Sequence, residues 1–352
     1  MREPSEPIES FRERARVFIR RNLRPLNGKS LSSALRASRT DDEELAEVAR
    51  ERELQRALFD AGLAGVCVPR EYGGQGLTPA HQRVLNAELR GYEYPSRVQV
   101  PTFTPCLAVL LEFGTEAQKL AHVPAILKGE ELWMQFLSEP SSGSDVAGAL
   151  TSAVRDGDDW VLNGSKVWTT GAWWSDWALC LARTNWEASK HGGLTVFMFP
   201  IDSAGIEVQR IEMLNGSKEF CQEFMTDVRV PDSHRIGGVD AGWTVGSRWM
   251  FHERMARNSP LVTAPEGETR AGGSGRTMHA IARAAGKLED PSAQQRIGEA
   301  ETLHRVGEAL RRRIGRGIAT RTMSDQSSAI ARLFIGLAEA RRPTIAFELA
   351  GE

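Results

Sequence analysis

Two short stretches hold the residues with the widest chemical reach. The first, LSEPSSGSDVAG at 137–148, crowds serines, glycines, a proline and two carboxylates between apolar, strand-like runs. Glycine lets a backbone approach a ligand closely, and serine hydroxyls and loop N–H groups donate without bulk. Such a loop suits a phosphate or the edge of a flavin ring. A solvated turn has the same composition, so the loop alone does not separate the two. The second stretch, NGSKVWTTGA at 163–172, offers an aromatic plane and hydroxyls on one strand. Trp168 there could stack on a flat cofactor while Thr170 donates to a ring nitrogen. Trp160, Trp173, Trp174 and Trp177 crowd the same region, and a core tryptophan in a sheet is the competing reading.

The elements that must position these stretches follow from periodicity. Residues 1–130 read helical. Thr40 and Glu43 make a capping-box pattern. Leu45, Val48, Leu54, Leu58 and Phe59 then give an approximately helical apolar face, and Gly62 suits the end. VPREYGGQGLTP (68–79) is a punctuated loop, followed by a helix from Pro79 to about Gly91. CLAVLLEFGTEAQKLAHVPAILKGE reads as two helices broken at Gly114. From 131 to 241 the runs shorten and fill with Val, Trp, Phe and Thr. Asp156-Gly157 and Asn163-Gly164 are hairpin signals. This predicts an antiparallel sheet domain. Helix returns over 242–352, most clearly at 294–320, where Ile297, Leu303, Val306, Leu310, Ile314 and Ile318 recur at helical spacing and Arg311, Arg312 and Arg313 read as a solvated face. The Pro/Gly-rich run at 259–277 reads as a mobile loop. The fold class is α+β: a helical domain, a central sheet domain and a helical bundle.

Bulk properties exclude several functions. The chain has 352 residues, 41% hydrophobic and 26% charged, enough for a large core or for several packed domains. Lys plus Arg is 44 and Asp plus Glu is 46, a balance with no global field for nucleic acid or anionic lipid. Cys67, Cys106, Cys180 and Cys221 are far apart, which argues against zinc ribbons and redox dithiols and fits small buried thiols in a reducing cytoplasm. The N-terminus reads as no signal peptide, and the longest apolar runs are too short to span a bilayer. No metal site is indicated, since His252-Glu253 is followed at 256 by alanine and so does not begin a zinc-protease motif.

The order of five motifs resembles the FAD-dependent acyl-CoA dehydrogenase family over nearly the whole chain. They are GLAGVCVPREYGGQGL, FGTEAQKLAHVPAILKGE, FLSEPSSGSDVAG, LNGSKVWTTGA and VRVPDSHRIG. The resemblance implies that Ser138 and the backbone around Leu137 contact the isoalloxazine, and it counts Gln135 among the cofactor-binding residues. It puts Gly143 and Ser144 near the pyrophosphate and the pantetheine of an acyl-CoA substrate. Trp168 would pack against the flavin, with Thr170 hydrogen-bonded near N5. It implies proton removal beside the thioester carbonyl and hydride transfer to the flavin, an electron-transfer flavoprotein or similar acceptor, and a homodimer, homotetramer or heterotetramer.

The family's usual base lies in a Tyr-Glu-Gly-Thr-like motif that this chain does not show; TIAFELAGE resembles a helix lying before it, which makes the helical bundle a shortened one. A second family solution puts a Glu before an Arg on an earlier helix. MFHERMAR offers Glu253 as base and Arg254 as its active-site hydrogen-bond partner, against the alternative of a surface Glu-Arg pair. The adenosine-binding Arg-Lys-x-Phe-Gly motif is reduced to ARAAGKLEDP, where Arg283 is a partial replacement. Three functions follow: an active dehydrogenase, a non-catalytic subunit of a heteromeric one, and a DNA-associated binding protein of the same fold, which the neutral charge disfavours.

Overall fold

The computed structural model describes residues 6–26, 40–256, 259–263 and 275–351. The chain forms two compact units, Met1–Gly267 and Glu268–Glu352, and each is described by itself.

The first unit opens with helices. α1 (Ile8–Asn22) buries Phe11, Ala15 and Ile19, one turn apart. α2 (Asp41–Asp60) starts at a complete capping box: the Thr40 hydroxyl accepts from Glu43 N–H, and the Glu43 carboxylate accepts from Thr40 N–H. α3 (Pro79–Glu88) has proline in its first turn, where no backbone donor is needed. α4 (Ser96–Gln99) is a single turn. α5 (Ala108–Phe113) and α6 (Glu116–Lys128) are broken at Gly114, and α6 ends on Gly129 at φ 76°.

Eight strands follow: β1 (Trp133–Phe136), β2 (Ser152–Asp156), β3 (Asp159–Thr170), β4 (Trp177–Arg183), β5 (Leu194–Pro200), β6 (Ile206–Ile211), β7 (Phe220–Pro231) and β8 (Arg235–Ile236). Their order is β6-β7-β3-β2-β4-β5-β8, with β1 beside β4. Most neighbours are antiparallel. β1 departs from that expectation and runs parallel to β4, with Trp133 opposite Trp177. A parallel neighbour needs a long crossover, and the serine-rich loop with the β2–β3 hairpin supplies it.

Asp156-Gly157 does lie at the β2–β3 turn. Asn163-Gly164 does not form a hairpin turn; it sits inside β3, at a register shift between Leu162 and Gly164. The glycine is required by packing, because a Cβ there would lie 2.6 Å from Thr151 Oγ1. Asn163 is used across the ladder, its side chain bonding to Asp227.

Alternation along the strands builds two apolar layers. On one face Trp133, Leu179, Val196 and Met198 pack with Val123 and Ile126 of α6. Val245 and Trp249 of α7 (Gly242–Arg254) join the same layer. On the other face Met134, Phe136, Cys180, Phe197, Cys221 and Met225 meet.

The second unit consists of α8 (Gly275–Ala284), α9 (Pro291–Ala319) and α10 (Ser328–Ala350). Met278, Ala282, Ile297, Ala300, Ile345 and Leu349 form its core. Arg311, Arg312 and Arg313 are exposed, as a solvated face requires, whereas Val306 is 44% exposed rather than part of the core. Residues 264–274 of the segment read as a mobile loop lie outside the described residues. Among the described residues, no helix is long and apolar enough to cross a membrane.

Gly171 closes β3 at φ 74°, and a Cβ there would lie 2.1 Å from the Trp174 ring. Gly171→Ala combines backbone strain with overpacking, for an expected loss on the order of 2–5 kcal/mol. Urea unfolding measures it; an unchanged midpoint would mean that Trp174 yields freely.

Candidate functional site

The two chemically rich stretches lie side by side. Val167 N–H donates to the Ser138 carbonyl at 2.9 Å. Thr169 Oγ1 lies 3.3 Å from the Gln135 carbonyl oxygen. Lys166 Nζ reaches the Leu137 carbonyl at 3.3 Å and the Glu139 carboxylate at 2.8 Å. β1 and the loop after it are thus bonded to β3 at four points, one in the strand and three in the loop.

An inserted residue shapes β3. The ladder with β7 shifts register between Val167 and Thr169, leaving Trp168 as the extra residue, with φ 68°. Such a bulge re-aims a side chain. Trp168 is 54% exposed and touches Phe220 edge-on at 5.8 Å, so it is no core tryptophan. The bulge also resets the alternation. Lys166 and Thr169, three residues apart, are both buried, while Thr170 is exposed.

The loop itself is tightly turned. Glu139 and Ser142 exchange backbone hydrogen bonds at 3.0 and 2.9 Å, and the Ser142 hydroxyl bonds to the Asp145 carbonyl. Gly143 and Ser144 are exposed at its tip, and a Cβ on Gly143 would meet nothing within 4 Å. Leu137 is buried and Ser138 half-buried. Gln135 Oε1 accepts from Trp249 Nε1 at 2.7 Å, which ties α7 to β1. Glu253 lies one helical turn beyond Trp249, and it and Arg254 are both exposed. Glu253 is close enough to Cys106 for its charge to add to the burial that raises that thiol. Arg283 stands exposed on α8 in the second unit.

Sequence reading missed the groups beneath this surface. Lys166 is fully buried and donates to Glu139, Leu137 O and Leu181 O. Burial raises the Glu139 carboxyl, but Lys166 and the Leu150 and Thr151 N–H groups outweigh it and hold it below its usual value. Glu223, fully buried opposite Lys166, is pushed up to about 8 by burial. The available signal was strand phase: Glu223 falls between Cys221 and Met225 on the inward positions of β7.

Comparison with known proteins now decides the family. Residues 5–130 match the pattern of the acyl-CoA dehydrogenase N-terminal domain, and 135–228 match that of the acyl-CoA dehydrogenase middle domain. Acyl-CoA dehydrogenase IpdE1 of Mycobacterium tuberculosis is 31% identical over 299 residues, 84% of this chain and 74% of that protein. The chain belongs to the acyl-CoA dehydrogenase family. Acyl-CoA dehydrogenase FadE34 of the same organism is 35% identical over 276 residues, 77% of this chain but 37% of that longer protein. The solved Tcur3481-Tcur3483 steroid ACAD superposes with a TM-score of 0.70 at 26% identity, covering 98% of this chain and 85% of that one.

Acyl-CoA dehydrogenases use FAD, and the residues present fit such a group. An exposed indole stands on a bulge. Beside it, the Ser138 and Thr170 hydroxyls have no hydrogen-bond partner among the described residues, and neither has the Ser144 hydroxyl at the loop tip. The approach to Gly143 is open.

Removing one partner of a buried ion pair strands the other. Lys166→Met is expected to cost about 3–5 kcal/mol in denaturant unfolding. Pairing it with Glu139→Gln should recover part of that loss. A single variant as stable as the parent would show that the pair does not hold the two stretches together.

Proposed function

We propose that this chain is an FAD-dependent dehydrogenase that introduces a double bond between the two carbons beside the thioester carbonyl of an acyl-CoA. The reading rests on family membership and on one observation above all: an exposed Trp168, raised by a bulge, next to the unpartnered Ser138 and Thr170 hydroxyls. In it Trp168 packs on the flavin face. Thr170, Ser138 and the backbone near Gln135 and Leu137 bind the ring edge. Gly143 and Ser144 admit the pyrophosphate and the substrate's pantetheine. Arg283 of the second unit binds the adenosine end of a flavin held by a partner subunit. Bound FAD supplies a hydride acceptor at N5.

The protein's own chemistry is acid–base. Glu253 takes the proton from the carbon beside the carbonyl, and Arg254 holds the carboxylate or the substrate by hydrogen bonding. Donors at the carbonyl stabilise the charge that develops there. Electrons leave to an electron-transfer flavoprotein or a similar acceptor. Cys67, Cys106, Cys180 and Cys221 are free thiols, which suits a reducing cytoplasm.

A second reading makes the chain one subunit of a two-chain dehydrogenase. Exposed Glu253 favours it, because a base must be desolvated to act near neutral pH. The resemblance to a protein described as a Tcur3481-Tcur3483 steroid ACAD also favours it, and makes a steroid-derived acyl-CoA the first substrate to try.

The visible spectrum of the purified chain distinguishes the two. A flavin band that bleaches on adding acyl-CoA supports the enzyme; flavin gained only with a co-expressed second subunit supports the heteromer. Glu253→Gln should slow bleaching by about 10²–10⁴-fold with flavin retained. Unchanged bleaching removes Glu253 from the mechanism.

A further inference from the structure

The buried face of β3 and β7 holds one carboxyl more than it can neutralise. Lys166 is paired with Glu139 at 2.8 Å. Glu223, fully buried across the ladder, has no ion pair among the described residues. One of its oxygens, Oε1, is buried without a partner. The other, Oε2, lies 2.9 Å from Thr169 Oγ1, which lies 3.3 Å from the Gln135 carbonyl oxygen. A threonine hydroxyl carries one proton and cannot donate fully to both oxygens.

Two arrangements are open. An ionised Glu223 draws the Thr169 proton to itself, and the Gln135 carbonyl loses that bond. A neutral Glu223 donates to Thr169, which then donates to Gln135, so that both bonds form. We infer that Glu223 is a positioning residue: as the neutral acid it donates to Thr169, and Thr169 donates on to Gln135, fixing β1 to β3 beneath Trp168. Gln135 also accepts from Trp249 through its side-chain Oε1, a separate bond that ties α7 to the same residue. Calling this surface a flavin floor rests on the proposed function; the relay itself does not.

The groups facing Glu223 support the neutral form. Glu139 in the loop neutralises Lys166 of β3, the nearby cation. Burial pushes Cys180 of β4 up to about 12 and Cys221 of β7 up to about 11, leaving both thiols uncharged. Arg210 of β6 acts on Cys221 but is held by Asp41 and Glu44. Burial then dominates at Glu223, with titration at about 8. Above that pH its proton goes to solvent and Thr169 turns toward the carboxylate.

Infrared spectra of the whole chain from about pH 6 to about pH 10 test this directly. The carbonyl band of a buried neutral carboxyl should be present at the acid end, vanish through about pH 8, and be missing from Glu223→Gln. Thr169→Val should keep the band but shift it to higher frequency, because the acid has lost its acceptor. FAD affinity should weaken about three- to tenfold over the same interval in the parent and stay flat in both variants. Stability relative to Glu223→Gln should fall as pH rises from 4.5 toward about 8, since the unfolded carboxyl ionises first, and then level off. No band in the parent at the acid end, or an unshifted band in Thr169→Val, overturns the inference. A chain with the band and its shift but with no affinity for FAD refutes the flavin reading and leaves the relay standing.

Discussion

The ion pair between Lys166 and Glu139 is the constraint on which the rest depends. Both groups have lost their water, a penalty of several kcal/mol per ion that only close pairing and added hydrogen bonds offset. The offset is visible: Lys166 donates to two carbonyls besides Glu139, and Glu139 accepts two backbone N–H groups. The pair joins the loop after β1 to the middle of β3. Any ligand that touches both stretches therefore meets a prearranged surface.

The bulge at Trp168 does the complementary work. One extra residue turns a side chain outward that regular pleating would have paired with β7, and it returns Thr169 to the inner face. The same irregularity makes the exposed aromatic plane and the buried Thr169 contact to Glu223. Surface and interior are coupled through the adjacent Trp168 and Thr169, which is why a buried proton can matter to a surface that it never reaches. α7 joins the same assembly through Trp249 and Gln135, and it carries Glu253.

Helices were legible in the sequence because their signals are local. The Thr40–Glu43 cap, the break at Gly114 and the run at 294–320 need only neighbours within a few residues, and the structure has them. The Asn163-Gly164 pair misled because the same dipeptide serves a tight turn and a close approach between strands. Only Thr151, thirteen residues before that glycine, tells which. The parallel placement of β1 was equally illegible, since alternation gives a strand its faces but not its partner.

The sequence by itself determined the family, the order of helices and strands, and which residue types stand ready at the two motif stretches. Order and type are properties of the chain, and they survive without coordinates. Tertiary structure decided that the stretches touch and that Trp168 faces outward. It also decided that Lys166 and Glu223 lie inside while Glu253 lies at the surface. Those outcomes depend on which groups lose water and on which charges find a partner, and both are set by segments far apart in the chain.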